Sequence, residues 1–354
     1  GGLPCNMIAN VHAEFHPDEC EGAIDPLPCG TNVECPTCDA VADVPSPRVR
    51  ESWHSASDAT KTKMFDAMMV LNRMSTAEGQ AMYGPKFLGN DYFVQIHQAS
   101  VYLAGGGPNP KVENAPFIVD FSHVNQGFAV FHSVFVFLFE EALLAVDPTM
   151  VAMPYIDFRL GVGDLFGGGD LDFGSLAGTG ANYGVVDGAL KDWTVGPGDP
   201  TLPHFFGSLR GTDYGTNKTV RYPNDAPFES EWAITSEMYL RCASSANFKD
   251  FQSCIESDEN LLFHTGAHCF IGGFIPGTGE DCAFPTIHND YEGPIVIRTL
   301  SGECLAADLT SVPSGPNDPA FMIVHAFIAM VMQDFTRRSS SADFYGFQAE
   351  GSNY

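Results

Sequence analysis

The chain has 354 residues, 44% of them hydrophobic and 28 of them Phe, which is enough for a large packed core in one big domain or two ordinary ones. Its formal charge of −27 argues against nucleic acid, since phosphate binding needs clustered Lys and Arg, and disfavours an anionic membrane surface as a partner. Acidity of this kind serves solubility.

Ten cysteines fall into two groups of five: Cys5, Cys20, Cys29, Cys35 and Cys38 near the start, and Cys242, Cys254, Cys269, Cys282 and Cys304 in the last third. That distribution suits disulfides stapling an irregular leader and some loops, and hence an oxidising, secreted setting. Five in each group leaves either one bridge between the groups or two free thiols. Cys35-Pro-Thr-Cys38 lacks a second C-x2-C and a βαβ context, which favours a bridge over a zinc or redox motif. The longest apolar runs, Phe128–Phe139 and Pro319–Met332, are too short to span a bilayer and each carries a histidine, so no membrane insertion is expected. No secretory leader is visible, as in a processed form. Asn217-Lys-Thr219 is an acceptor pattern for an N-glycan at Asn217.

In chain order, residues 1–45 read as a Cys-rich extension without periodicity, 46–350 as the main domain and 351–354 as a tail. Ser57 or Asp58 caps a predicted helix through Phe65, Met68, Leu71 and Met74, whose methionines have the spacing of a buried stripe. A second helix is predicted over 91–103, with Phe93, Ile96, His97 and Val101 facing inward. After a Gly/Pro loop at 105–110 and the segment 114–121, a Phe-dense helix is predicted over 124–146 and is ended by Asp147-Pro148. The Gly-rich stretch 161–211 reads as an irregular excursion; its single Gly167-Gly-Gly-Asp-Leu-Asp172 is no calcium-binding array. Helices follow over 229–242 and 246–255, around His264-x3-His268, and from about Asn317 through Met332. The expected fold is mainly α: a central antiparallel bundle with long irregular loops.

Six of the eleven histidines lie in apolar, predominantly helical surroundings: His97, His123, His132, His264, His268 and His325. An H-x3-H pair puts two rings on one helix face, but on its own it is equally a pair of structural histidines. Six such rings in two groups of three are harder to satisfy with hydrogen bonds, because these segments offer few carboxylates. Metal ligation satisfies one nitrogen of each ring. Imidazole suits zinc, copper, nickel and iron. Two three-imidazole sites on one core suit a pair of copper ions, since neutral borderline ligands stabilise Cu(I) and two Cu(I) ions together give O2 two electrons. Ligation needs neutral rings, so copper is expected to loosen below about pH 6.5.

These residues resemble the tyrosinase, catechol oxidase and molluscan haemocyanin group of type-3 copper proteins. The resemblance rests on His97, on His123 through His132, on Phe139-Glu140, on Asp147-Pro148, and on Pro154-Tyr-Ile-Asp-Phe158 in place of Pro-Tyr-Trp-Asp-Trp. It continues in His264-x3-His268 with Gly272-Gly273, and in Asn317-Asp-Pro-Ala-Phe321 leading to His325. It implies one copper on His97, His123 and His132, and another on His264, His268 and His325. Arg48 or Arg50 and Tyr345-Gly-Phe347 resemble the pair of motifs bracketing the family's central domain, so the likeness spans roughly 46–350.

The departures are local. Phe131-His132-Ser133 replaces Trp-His-Arg, and Thr265 stands where hydroxylating members often carry Asn. The stretch after His325 lacks the family's Asp and Arg, which orient ligands elsewhere. No cysteine lies between His97 and His123, so the thioether found on the second ligand of some members cannot form locally. Glu256 or Glu259 is the candidate for the acidic residue that holds a water near the site. The implied function is a secreted oxidase turning o-diphenols, and in some members monophenols, into o-quinones with O2. Thr265 favours the diphenol reaction. The alternative is a non-catalytic oxygen-binding or structural extracellular protein on the same fold, and a hydrolytic zinc site lacks a placed carboxylate base.

Overall fold

The computed structural model describes residues 48–102, 122–123, 127–196, 215–223, 234–256, 263–276, 304–310 and 312–339. The chain divides after Arg48, and every element below belongs to the unit Val49–Tyr354. The Cys-rich extension, the loop 105–110, Glu259, Tyr345, Phe347 and the tail lie outside the described residues.

Helix α1 spans Asp58–Arg73; Ser57 caps it by accepting a hydrogen bond from the Thr60 amide at 3.1 Å, and Asp58 adds a favourable charge to the first turn. Its buried stripe is Met64, Phe65, Ala67, Met68, Met69 and Leu71, as the spacing predicts. Helix α2, Thr76–Tyr83, has no counterpart among the predicted elements. It is built by a capping box in which Ser75 Oγ accepts from the Glu78 amide and Glu78 accepts from the Ser75 amide. Helix α3 runs Asn90–Tyr102 and α4 Phe128–Val146. The start of α4 falls four residues after the predicted one, and His123, ahead of both, sits in a bend.

By length and composition alone α4 is long enough to cross a membrane, contrary to the reading of its apolar run. Its inner side buries His132, Glu140 and Glu141 with Phe128, Phe135 and Phe139, as a core helix of a bundle does. Glu140 is held by Arg50, whose Nε donates at 2.6 Å, and by the Met153 amide at 3.0 Å. The bracketing arginine thus clamps the middle of α4.

The stretch 151–196 is irregular apart from three short 3-10 turns. Helices α5 (Ser236–Ala243) and α6 (Phe248–Glu256) follow, tied to each other by the Cys242–Cys254 disulfide. Then come α7 (His264–Gly272) and α8 (Ala320–Arg338). Strands β1 (Phe274–Pro276) and β2 (Cys304–Ala306) pair antiparallel, Ile275 opposite Leu305, and are the sheet seen among the described residues. Helices α4 and α8 form the most extensive helix pair, and one continuous core of Phe, Met and Leu side chains joins them to α1, α3, α5, α6 and α7.

Candidate dinuclear metal centre

The six expected histidines converge on the seam between α4 and α8. His97 comes from α3, His123 from the bend, His132 from α4, His264 and His268 from α7, and His325 from α8. His97, His132 and His325 are fully buried, and none of the other three is more than 9% exposed. One potential ligand atom from each of His97, His123 and His132 lies within 4.8 Å of the other two, and the same holds for His264, His268 and His325. The triads meet where the His132 and His325 rings stack, with centroids 4.3 Å apart and planes 17° apart. Phe128 lies 4.5 Å from His264 and 4.6 Å from His132, while Phe321 stacks on His325 at 3.9 Å and stands 4.9 Å from His97. Two phenyl rings therefore flank the junction.

Main-chain carbonyls set the proton position on three rings. His132 Nδ1 donates to Phe128 O at 2.9 Å, His325 Nδ1 to Phe321 O at 2.9 Å, and His268 Nδ1 to Leu309 O at 2.7 Å. A carbonyl only accepts, so each Nδ1 carries the hydrogen and each neutral ring keeps its lone pair on Nε2. Two of those lone pairs meet another imidazole: His325 Nε2 lies 3.0 Å from His264 Nε2 and His132 Nε2 lies 3.4 Å from His97 Nε2, contacts in which the partner ring donates when its hydrogen is on Nε2. His268 Nε2 and His264 Nδ1 are buried with no hydrogen-bond partner. Buried nitrogens left without a partner are costly. A cation held by such nitrogens removes that cost, so the donor sets fit two imidazole-bound metal ions. Three neutral nitrogens per ion, with no thiolate or carboxylate among them, suit copper.

Electrostatics agree. Burial pushes the His268 pKa down to about 4 even though its bond to the Leu309 carbonyl works the other way. His132, His264 and His325 are held well below the ordinary value, first by burial and then by the neighbouring histidines. Burial thus favours the neutral form of these four rings, as ligation requires.

The local sequence explains the placement. Gly272-Gly273 ends α7, with Gly273 at φ +73° donating its amide to the Cys269 carbonyl at 2.9 Å. A Cβ on Gly272 would meet Thr310 Oγ1 at 2.2 Å, and one on Gly273 would meet the Tyr222 carbonyl at 2.1 Å. Gly272 lets the Leu309–Thr310 segment come close enough for the Leu309 carbonyl to receive His268, and Gly273 lets the Tyr222 main chain approach. Asp318 accepts from the Ala320 amide at 2.9 Å at the start of α8 and takes both Nε and Nη2 of the fully buried Arg221, at 2.6 and 2.7 Å. Arg221 Nη1 in turn donates to the carbonyls of Phe173 and Ser175, which fixes that helix start against the irregular excursion. No local signal points to Arg221: a lone Arg in a loop shows nothing until its partners are placed.

Two residues expected to have other roles are nearby. Thr265 follows His264 on α7 and is half-buried. Glu256, buried at the end of α6, accepts from Gln252 Nε2 at 2.6 Å, and Gln252 Oε1 accepts from the Ala129 amide at 3.3 Å. The carboxylate is thereby joined to the turn that carries Phe128.

The family model described as the common central domain of tyrosinase matches residues 89–338. No curated protein sequence matches. Among solved structures, the chain is similar to a point mutant of a polyphenol oxidase from Thermothelomyces thermophila, with 17% identity and a TM-score of 0.50, covering 81% of this chain and 69% of that one. A point mutant of Aspergillus oryzae pro-tyrosinase in its oxygen-bound form matches at 16% identity and TM-score 0.45, over 81% of this chain and 59% of its own. A functional unit of octopus haemocyanin matches at 13% and 0.42, over 82% and 53%. The chain thus spans little more than half the length of these last two. Because the family match covers more than half of the chain and includes all six histidines, the chain belongs to the tyrosinase family of type-3 copper proteins.

Proposed function

We propose that the chain is a copper oxidase that converts two o-diphenols and one O2 into two o-quinones and two waters. The observation that carries the reading is the stacking of His132 on His325, which brings two three-histidine sites to one junction. Two copper ions, when bound, supply the store for the electrons that pass from phenol to O2.

The chain's own residues do the rest. Carbonyls of Phe128, Phe321 and Leu309 hold three rings in the ligating tautomer. Phe128 and Phe321, both buried, pack against the histidine rings and keep the junction apolar. Hydroxylation of a monophenol needs a group to take the phenol proton. Thr265 has no acceptor amide to position a base, and Glu256 is already engaged by Gln252. Diphenol oxidation, whose donors give up protons more readily, is the better match.

The Cys242–Cys254 bridge and the acceptor pattern at the exposed Asn217 support a secreted glycoprotein. Thr219 of that pattern is buried and donates to the Asn317 carbonyl at 3.0 Å, so a glycan would be attached before folding. One observation favours a second reading, an oxygen binder without turnover: none of the six rings is more than 9% exposed, which suits O2 better than a phenol.

The test loads the purified protein with copper, records its absorption with and without O2, and follows quinone formation from catechol. Two copper ions per chain, an O2-dependent band and turnover are expected. A band without turnover overturns the oxidase and leaves the oxygen binder; no copper overturns both.

A further inference from the structure

We propose that Gln252 is a positioning residue of the first triad: its side chain caps α4 from the neighbouring helix α6 and thereby holds the turn on which His132 depends. The inference rests on the dinuclear reading above, but its geometry stands without metal. Gln252 Oε1 accepts from the Ala129 amide at 3.3 Å, and its Nε2 donates to Glu256 Oε2 at 2.6 Å. A main-chain amide only donates, so the atom that meets Ala129 is the carbonyl oxygen, and the NH2 group is left to face the carboxylate. The orientation of the side chain follows from that one partner, whatever else touches Glu256. Gln252 and Glu256 are each only 5% exposed, so water does not replace these bonds easily.

The first turn of any helix has amides without a partner inside the helix. Helices α1, α2 and α5 meet this need locally, through Ser57, Ser75 and Thr235. Helix α4 has Gly127 at its N-cap, which has no side chain to offer. Its Ala129 amide is taken instead by a residue 123 positions away. At the start of α8, which carries His325, the Ala320 amide is taken by Asp318 at 2.9 Å.

The capped turn is the one that orients His132. Its Nδ1 donates to the carbonyl of Phe128, the first residue of α4 and the neighbour of Ala129. An opening of the turn swings that carbonyl away, and the ring loses the bond that fixes its proton. Gln252 can prevent this because its own helix is anchored. Cys254, two residues on, is bridged to Cys242 of α5, and Phe251 stacks on Phe335 of α8 at 4.4 Å with planes 15° apart.

The experiment uses metal-free full-length protein with 15N-labelled alanine and histidine at about pH 8, where exposed histidines are neutral too. It follows hydrogen exchange with water at the Ala129 amide and at His132 Nδ1–H, with His325 Nδ1–H as the internal reference. Gln252→Met, close in length but without the amide, should speed exchange at Ala129 and His132 by roughly 10-fold, the size of a lost cap, and leave His325 as in wild type. Gln252→Asn, one methylene shorter and gentler on the packing, should shift His132 in the same direction. Ser57→Ala, which removes the cap of α1, should leave all three unchanged. In a parallel Cu(I) competition with a chelator, Gln252→Met should weaken one of the two copper equivalents by roughly 10- to 100-fold, and Ser57→Ala neither. Unchanged exchange at His132, or equal acceleration at His132 and His325, overturns the proposal. Faster exchange with both copper equivalents as tight as in wild type also overturns it, leaving a cap without a positioning role. A His132 that depends on Gln252 in a chain that takes up no copper supports the tether and overturns the dinuclear reading instead.

Discussion

His268 shows how a single ring is prepared for a metal. Its Nδ1 is committed to the Leu309 carbonyl, its Nε2 has no hydrogen-bond partner, and its pKa lies near 4. An ordinary histidine titrates at about 6.5, so between these values the unfolded chain takes up a proton that the folded chain refuses. The depressed pKa therefore contributes stability that is fully present above about pH 6.5 and is lost as the pH falls toward 4. His132, His264 and His325, lowered in the same direction, add to the slope. The urea midpoint of metal-free protein should fall steadily from pH 7 to pH 5; a flat profile would contradict neutral burial of these rings. His264 gives a complementary prediction, since it faces His325 at 3.0 Å within its triad. His264→Ala should reduce bound copper from two ions to one and eliminate any O2-dependent band, checked by metal analysis and absorption.

At the level of elements, the end of α7 decides whether His268 can be held at all. Gly273 has φ +73° and no room for a Cβ beside the Tyr222 carbonyl. Gly273→Ala should cost about 1–3 kcal/mol in denaturant unfolding from strain, before the clash is counted. Gly272→Ala pushes instead on Thr310, next to the carbonyl that His268 uses, so copper in the second triad should weaken more than global stability does. The start of α8 makes a second demand. Arg221→Met leaves Asp318 charged and buried, which should cost roughly 3–5 kcal/mol. These elements also show what was legible in the residues alone. Helix α1 was readable because Ser57 and the Met/Phe/Leu stripe are local signals, and the six clustered histidines were readable because their spacing is conspicuous in apolar segments. Helix α2 was not, since eight residues with only Gly79 buried make no apolar stripe and a capping box alone defines it. The β1–β2 pair joins three-residue strands far apart in sequence, and such pairing has no local signature. Arg221 depends on partners dozens of residues away, so tertiary contact alone reveals it.

Over the whole molecule, the six histidines, with metal bound, would act as staples between parts of the chain that are distant in sequence but share one core. One triad joins α3, the bend at His123 and α4; the other joins α7 and α8 across an interval of 61 residues between His264 and His325. Helices α4 and α8 already pack tightly, with His132 on His325 and Phe135 5.7 Å from Phe321. A metal ion adds to this packing only in the folded state, because the unfolded chain does not hold three imidazoles within a few ångströms. Binding therefore shifts unfolding by mass action, about 2.7 kcal/mol for each site at a free-ion concentration 100 times its Kd. For a domain of this size, 1 kcal/mol moves the midpoint by about 2–4 °C, so filling one site should raise Tm by roughly 5–10 °C and filling both by about twice that. Calorimetry with and without copper checks this, and the single-triad variants separate the contributions. His264→Ala should keep the increment from the first triad and lose the second, whereas a variant of His97 should do the reverse. If both variants lost the entire increment, the triads would bind cooperatively through the stacked His132–His325 pair. That would make the α4–α8 seam, more than either triad, the unit that copper stabilises.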